Sequence, residues 1–376
     1  MTPVPEGHRT HPPPAVLQWL GLAYGRAAAW RRAWYVNHPS ERRRLDRPVV
    51  SVGNLTVGGS GKTPVVAHLA RWLLAQGERP AILSRGYARR ARVDGVLVVS
   101  DAVGVREPVD RSGDEPQMLA RSLPGVPVLV CADRHLAGTL AERQFGCTVH
   151  LLDDGFQHHA LCRDVDLVLV APGDFEGHVL PAGRLREPAE VATEATAFIV
   201  APGSTSAGDP DDWAWVATTA PTGVPVFEAV LVPGRPVRLA PFGVPLTLDA
   251  DAKVMALAGI ARPERFFQTV RAMGWRVVKE RAVRDHHWFS AREVAAIAAA
   301  AADADADVVL TTEKDAMRLV GIPRVASAVA ASSVPFGCVS AGVTIEPADR
   351  FGPWLLERLG EARAMAVSQR RGTTRA

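Results

Sequence analysis

One run, residues 48–76, constrains this chain more than any other. Pro48-Val49-Val50-Ser51-Val52 is apolar and reads as a strand. A glycine-rich turn follows, Thr56-Val57-Gly58-Gly59-Ser60-Gly61-Lys62-Thr63, and Val65 to Gln76 carries a helical pattern. Strand, glycine turn and helix in that order make a phosphate cradle. Backbone N–H groups of the turn point at phosphate oxygens, and the helix N-terminus adds partial positive charge. In that frame Lys62 reaches the β/γ-phosphates and the Thr63 hydroxyl ligates Mg²⁺. Gly58, Gly59 and Gly61 leave the backbone free to take positive φ. The first position of the pattern G-x-x-x-x-G-K-S/T holds Thr56 instead of glycine. Of 43 Lys plus Arg, only Lys62, Lys253, Lys279 and Lys314 are lysines. A chain that writes nearly every cation as arginine keeps a compact, flexible ammonium at this loop, which suits a point-charge role.

From Pro48 onward, short apolar runs alternate with helical stretches. Strands are expected at 48–53, 80–84, 95–99, 127–131, 148–153, 165–170, 197–201 and 225–231, and helices at 63–76, 114–122, 133–145, 188–194 and 211–216. Such alternation predicts an α/β fold with a mostly parallel sheet, a phosphate-loop nucleotide-binding domain over 48–230. Residues 231–250 are proline-rich and read as a connector or strand ribbon. A second, smaller α/β domain follows over 251–360, with strands at 254–258, 276–279 and 308–311 and helices at 263–273 and 291–302. Residues 361–376 are polar and arginine-rich and read as a disordered tail. Cys131, Cys147, Cys162 and Cys338 make no metal or disulfide spacing, which fits a reducing compartment. No secretory signal stands at the N-terminus.

Charge is unevenly distributed. Residues 1–47 carry eight arginines against three acids, while the remainder has 35 cations and 37 acids. The basic excess is therefore local, which argues against a nucleic-acid-binding body. Within the N-terminal segment Val16, Leu20, Ala23, Ala27, Trp30 and Trp34 lie on one face of an amphipathic helix, with Arg26, Arg31, Arg32 and Arg42-Arg43-Arg44 around it. Its uncharged run is shorter than the roughly 20 residues needed to span a bilayer. Aromatics with flanking arginines suit the plane of an anionic membrane surface, and packing on the protein's own core would leave the same pattern.

Val149-His150-Leu151-Leu152-Asp153-Asp154 ends a strand in paired acids. Beside a phosphate loop such an acid completes the Mg²⁺ shell, and two adjacent acids on a strand point apart and divide the work. Gly113-Asp114-Glu115-Pro116 has the character of a helix N-cap, and equally of a base that accepts a hydroxyl proton. Asp285-His286-His287 reads as a surface histidine pair or as a group that tunes a base across a cleft. Gln157-His158-His159, Ser84-Arg85-Gly86-Tyr87 and Leu185-Arg186-Glu187-Pro188 lie in polar loops near strand ends, where α/β proteins bind ligands. Thr312-Glu313-Lys314-Asp315 fails the guanine-reading pattern N/T-K-x-D by one place, which counts against a GTPase.

Taken as an ordered set, these motifs resemble the tetraacyldisaccharide 4′-kinases of lipid A synthesis. The resemblance runs from the N-terminal apolar segment to about residue 320. It rests on Val52 to Pro64, Ser84 to Tyr87, Gly113 to Pro116, Leu152 to His158, Leu180 to Pro188, Ala258 to Ile260, Pro263 to Phe267, Asp285-His286 and Thr312 to Ala316. Thr56 is that family's form of the loop, and the departures are small: Arg184 where proline is common and Phe156 where leucine is common. The resemblance implies ATP and Mg²⁺ as cofactors. It also implies an acylated glucosamine disaccharide 1-phosphate as acceptor at its 4′-hydroxyl, and a place on the cytoplasmic face of the inner membrane. It further implies Asp114 as catalytic base with His286 as its partner, Arg186 near the phosphates and Glu187 near the metal, beside Thr63, Asp153 and Asp154. Two other readings predict different behaviour: a nucleotide-switched ATPase that binds a partner protein, and a kinase of a soluble sugar.

Overall fold

Every residue of β1 (Val49–Asn54) is buried, and the larger of two sheets is laid around it. The structure is a computed structural model that describes residues 14–87, 89–91, 93–203 and 223–373. Helix α1 (Ala15–Asn37) precedes β1. After it come α2 (Lys62–Ala75), β2 (Pro80–Ser84), β3 (Leu97–Ser100), α3 (Val109–Ser112) and α4 (Asp114–Ser122). The unit continues through β4 (Val128–Val130), α5 (Arg134–Phe145), β5 (Val149–Asp153), β6 (Val165–Val170), β7 (Ala197–Val200) and β8 (Val226–Pro233). All eight expected strands of this stretch are present. The segment expected as a helix at 188–194 is a 3₁₀ turn, Ala189–Glu194. The helix expected at 211–216 lies outside the described residues.

The second sheet draws on β9 (Val237–Leu239), β10 (Phe242–Pro245), β11 (Lys253–Ala258), β12 (Arg276–Ala282), β13 (Val308–Thr312) and β14 (Phe336–Val339). Its helices are α6 (Pro263–Ala272), α7 (Ala291–Asp303), α8 (Glu313–Val320) and α9 (Pro323–Ala330). The chain then returns to the first sheet with β15 (Ala341–Glu346) and α10 (Ala348–Thr373).

The larger sheet has the order β15-β8-β7-β6-β1-β5-β2-β4-β3. Its interior is parallel, and only β3 and β15 run antiparallel to their neighbours. On one face α2 buries Val65, Val66, Leu69 and Leu73, and α10 adds Phe351, Leu355 and Leu359. On the other, Ala137 and Ala141 of α5 cover Leu83, Leu129 and Leu152. Parallel strands buried on both faces read as continuous apolar runs, which is why the sequence located them.

The smaller sheet, β10-β9-β14-β13-β11-β12, carries α6 on one face and α7 to α9 on the other. The second of these cores also contains Val109 and Met118 from α3 and α4. Apolar packing thus joins the two units, and it does so beside Asp114.

Four expectations change in whole or in part. Of the two readings of 231–250 the strand ribbon holds and the connector does not, since β9 and β10 pair antiparallel and belong to the second sheet. The stretch 251–360 is not one domain, because β15 pairs with β8 from Ala341–Pro233 to Glu346–Glu228. The tail is helical through Thr373, where Glu-Ala-Arg-Ala-Met is made of strong helix formers. Asp114 is not an N-cap either: Gly113 caps α4 with φ 91°, and Asp114 is the first helical residue.

Candidate active site

The phosphate loop leaves the carboxyl end of central strand β1, and Asp153 ends the neighbouring strand β5. This is the crevice where parallel sheets bind ligands. Gly61 takes φ 84° to start α2, and a Cβ there would lie 2.8 Å from Pro202. Conformation and space both require glycine. Lys62 Nζ donates to Asn54 Oδ1 at 2.9 Å and to Ser60 Oγ at 3.1 Å, and lies 3.5 Å from Asp154 Oδ1. The ammonium is thus held over the loop by neutral oxygens and one acid.

The paired acids do divide. Asp153 stays on the strand and is buried, whereas Asp154 turns into the left-handed region at φ 58°. Such strain in a non-glycine residue is held in place only by its surroundings. Here Arg186 Nη1 donates to both Asp154 oxygens, at 2.8 and 2.7 Å. Arg186 is itself fixed by a short strap: Val57 N–H donates to Arg184 O and Arg186 N–H to Leu55 O, each at 2.8 Å. Burial pushes the Asp154 carboxyl up, but Lys62 and Arg186 outweigh it and keep it below the usual range. Asp153 goes the other way. Burial, then the charges of Glu115 and Asp154, push its carboxyl up to about 7 despite Lys62 and Arg134.

A second cluster assembles from both units. Asp114 Oδ2 accepts from His286 Nδ1 at 2.9 Å and forms an ion pair with Arg318 Nη2 at 3.2 Å. Lys314 Nζ donates to Glu115 Oε1 at 3.1 Å and to His286 Nε2 at 3.3 Å. An ammonium can only donate, so Nε2 is the acceptor and Nδ1 carries the proton given to Asp114. His286 also has a left-handed backbone, φ 57°, and Tyr87 meets its ring edge-on at 5.7 Å. Burial would raise the Asp114 carboxyl. The His286 hydrogen bond and the charges of Lys314 and Arg318 prevail and hold it below its ordinary value.

Between α1 and Asp154 lies a cavity of about 580 Å³, lined among others by Arg31, Arg43, Arg85, Arg134 and Arg186. Arg134 is only 4% exposed, and its Nε has no protein partner among the described residues. Burial and neighbouring Arg85 bring its guanidinium down to about 10. A desolvated, partly unpaired guanidinium in a cavity of arginines is built for an anion.

A family model described as Tetraacyldisaccharide-1-P 4'-kinase, LpxK, matches residues 14–360. The chain belongs to that family. It is accordingly a kinase, a transferase of lipid A biosynthesis. A tetraacyldisaccharide 4'-kinase of Pelobacter propionicus is 39% identical over 309 residues, covering 81% of this chain and 83% of that one. One of Syntrophus aciditrophicus is 33% identical over 354 residues, 92% of each chain. The crystal structure of LpxK from Aquifex aeolicus in complex with ATP superposes with a TM-score of 0.71 at 28% identity, covering 90% of this chain and 97% of that one.

In this kinase Lys62, Asp153, Asp154 and Arg186 converge on the loop, and Asp114 meets His286. Glu187 does not join them. It is buried, with Oε2 accepting from Arg32 Nη1 at 2.8 Å and Oε1 paired to His159 Nε2 at 3.0 Å. Each oxygen is held by a neighbouring side chain, and through Arg32 it anchors α1. His159 follows it there, while Gln157 and His158 line the cavity. His287 turns to Glu293 at 2.9 Å. Lys314 braces the two units. Sequence reasoning placed Arg32 only among the arginines flanking the helix, not in its inward pairing, and missed Arg134 and Arg318. For Arg318 there was one signal: it follows Lys314 by one helical turn and so shares its face.

Proposed function

We propose that the kinase transfers the γ-phosphoryl group of ATP to the 4′-hydroxyl of a membrane-resident tetraacyldisaccharide 1-phosphate. One observation carries this reading: a single arginine-lined cavity has Asp154, beside the phosphate loop, on one wall and Arg31 and Tyr35 of α1 on another. Phosphate chemistry, an anionic acceptor and the N-terminal helix share one space.

The acceptor oxygen attacks the γ-phosphorus, the bond to the β–γ bridging oxygen breaks, and ADP leaves. The hydroxyl proton passes to Asp114, giving a phosphomonoester. Oδ2 of Asp114 pairs with His286 and Arg318, and Oδ1 accepts from Glu115 N–H at 3.0 Å, so the carboxylate is fixed on both sides with a lone pair of Oδ1 left for the acceptor's proton. Its lowered basicity is tolerable because phosphoryl transfer depends mainly on alignment and charge neutralisation. Lys62 and the loop N–H groups of Gly58 to Thr63 hold the β/γ-phosphates, and Arg186 fixes Asp154 against Lys62.

The residues present suit Mg²⁺. Thr63 and Asp153 are hard oxygen donors, and the raised Asp153 carboxyl is a site that wants a cation. Among the described residues no group of three or more His, Cys, Asp or Glu is placed to hold a metal. That fits an ion that completes its shell with phosphates and water. Thr63 and Asp153 would hold it, and it would neutralise charge on the phosphate oxygens.

Among the described residues no helix is long and apolar enough to cross a membrane. Helix α1 instead presents Val16, Trp19, Leu20, Leu22 and Trp30 to the outside, with Trp19 and Trp30 each 70% exposed. These side chains would lie in the interface of the inner membrane on its cytoplasmic side, where the acceptor resides. The test is one assay: purified protein with Mg-ATP and the acylated disaccharide 1-phosphate in detergent, read by mass spectrometry. The acceptor should gain one phosphate. An unphosphorylated acceptor overturns the proposal, and equal turnover on a deacylated disaccharide 1-phosphate would make the enzyme a soluble-sugar kinase.

A further inference from the structure

Arg318 sits in α8 of the second unit with its side chain 1% exposed. A buried guanidinium is costly unless paired, and a single acid suffices to balance it. Asp315, one turn earlier, already does so: its Oδ1 is 3.1 Å from Arg318 Nη2. Asp315 is itself immobilised, since Oδ2 accepts from Gly259 N–H at 2.9 Å and from the Thr312 hydroxyl at 2.6 Å. Arg318 Nη1 donates to His287 O at 2.8 Å, and Nη2 also approaches Gly259 O at 3.4 Å. The guanidinium is therefore clamped by three groups of its own unit. From that clamp Nη2 reaches across the junction to Asp114.

The same side chain thus touches both halves of the Asp114–His286 pair. It holds Asp114 directly, and through the His287 carbonyl it holds the loop that keeps His286 in its left-handed conformation. A structural ion pair would need neither contact. We infer that Arg318 is a positioning residue for phosphoryl transfer, which orients the Asp114 carboxylate and His286 toward the acceptor hydroxyl. The inference rests on Asp114 being the base.

The charged and titratable groups facing that carboxylate are Asp285 and His286 from the loop after β12, Lys314, Asp315 and Arg318 from α8, and Glu115 from its own helix. Removing Arg318 removes one of the positive charges that oppose the effect of burial. The Asp114 carboxyl then rises, and because the base must be ionised, the acid limb of turnover moves to higher pH.

The test is steady-state kinetics of the full chain across pH. Arg318→Met should lower kcat at least tenfold with KM for ATP within about twofold, and shift the acid limb upward. Arg318→Lys should restore part of the turnover and bring the limb back. An unmoved acid limb in a folded Arg318→Met protein overturns the inference. If that variant does not fold, Arg318→Lys decides in the Asp114→Asn background. There it should cause no loss beyond that of Asp114→Asn alone, and a full multiplicative loss overturns the inference. Normal turnover of Asp114→Asn by itself would instead remove Asp114 as base, which separates the two failures.

Discussion

At the scale of residues, the site is a set of charges kept apart by covalent geometry and brought together by packing. Lys62 has three oxygens around it and Arg186 spans both oxygens of Asp154. Lys62→Met should lower kcat by about a hundredfold or more, the usual scale for losing a preorganised charge at a transition state, with little change in Tm. Arg186→Met should also lower kcat, because Nη1 alone supplies both hydrogen bonds that hold Asp154 in its left-handed conformation. A normal kcat in either variant would remove that residue from the phosphate site. The phosphate loop and the acid pair were legible because each is a local run with its chemistry written in order. Asp114 and His286 were readable only by resemblance, since they lie 172 positions apart and meet through tertiary packing. Glu187 misled for the same reason. Nothing near it in sequence reveals Arg32, 155 positions away, which takes one of its oxygens.

Among the elements, α1 exposes most of its large apolar side chains. Its exposed apolar side chains are not confined to the expected stripe, since Trp19 and Leu22 lie outside it, and the side toward the protein is the small one: Gly21 and Gly25 are buried against Val179, Ala182 and Pro188. Arg32 then locks the helix through Glu187 and Glu194 and lies over the Phe156 ring, 5.1 Å from its centroid. Sequence patterns weigh apolar side chains, and glycines carry no such weight, so the docking face was invisible. Fully burying a side chain of Leu size gives about 1.5–3 kcal/mol, and 1.4 kcal/mol is tenfold in binding. Replacing Trp19, Leu20 and Trp30 by serine should therefore weaken vesicle flotation at least about tenfold while Tm stays put. Gly21→Leu should do the converse. Its Cβ would lie 2.9 Å from Val179 O, so about 1–3 kcal/mol of overpacking would lower Tm and leave the outward face intact. Flotation unchanged by the triple substitution would refute the membrane role of this helix.

For the whole molecule, the second unit is an insertion between β8 and β15 of the first. Strand positions were legible because each is an apolar run, but their order in the sheet was not, as pairing is decided by where the chain returns. The closing elements are integral to the core: Phe227 meets Phe351 at 5.0 Å and Trp354 at 5.4 Å between ring centroids. A chain cut after Ser340 should lose cooperative thermal unfolding and run as aggregates on size exclusion. A monodisperse truncated protein with unaltered Tm would show that β15 and α10 are dispensable. The same insertion sets a timetable for synthesis. Residues leave the ribosome in order at about 5–20 per second, so the interval between β8 and β15 lasts on the order of ten seconds. Throughout it the unpaired backbone of β8 is open to any other extended chain nearby. Each newly made molecule passes through that interval before its own last strand arrives to close the edge.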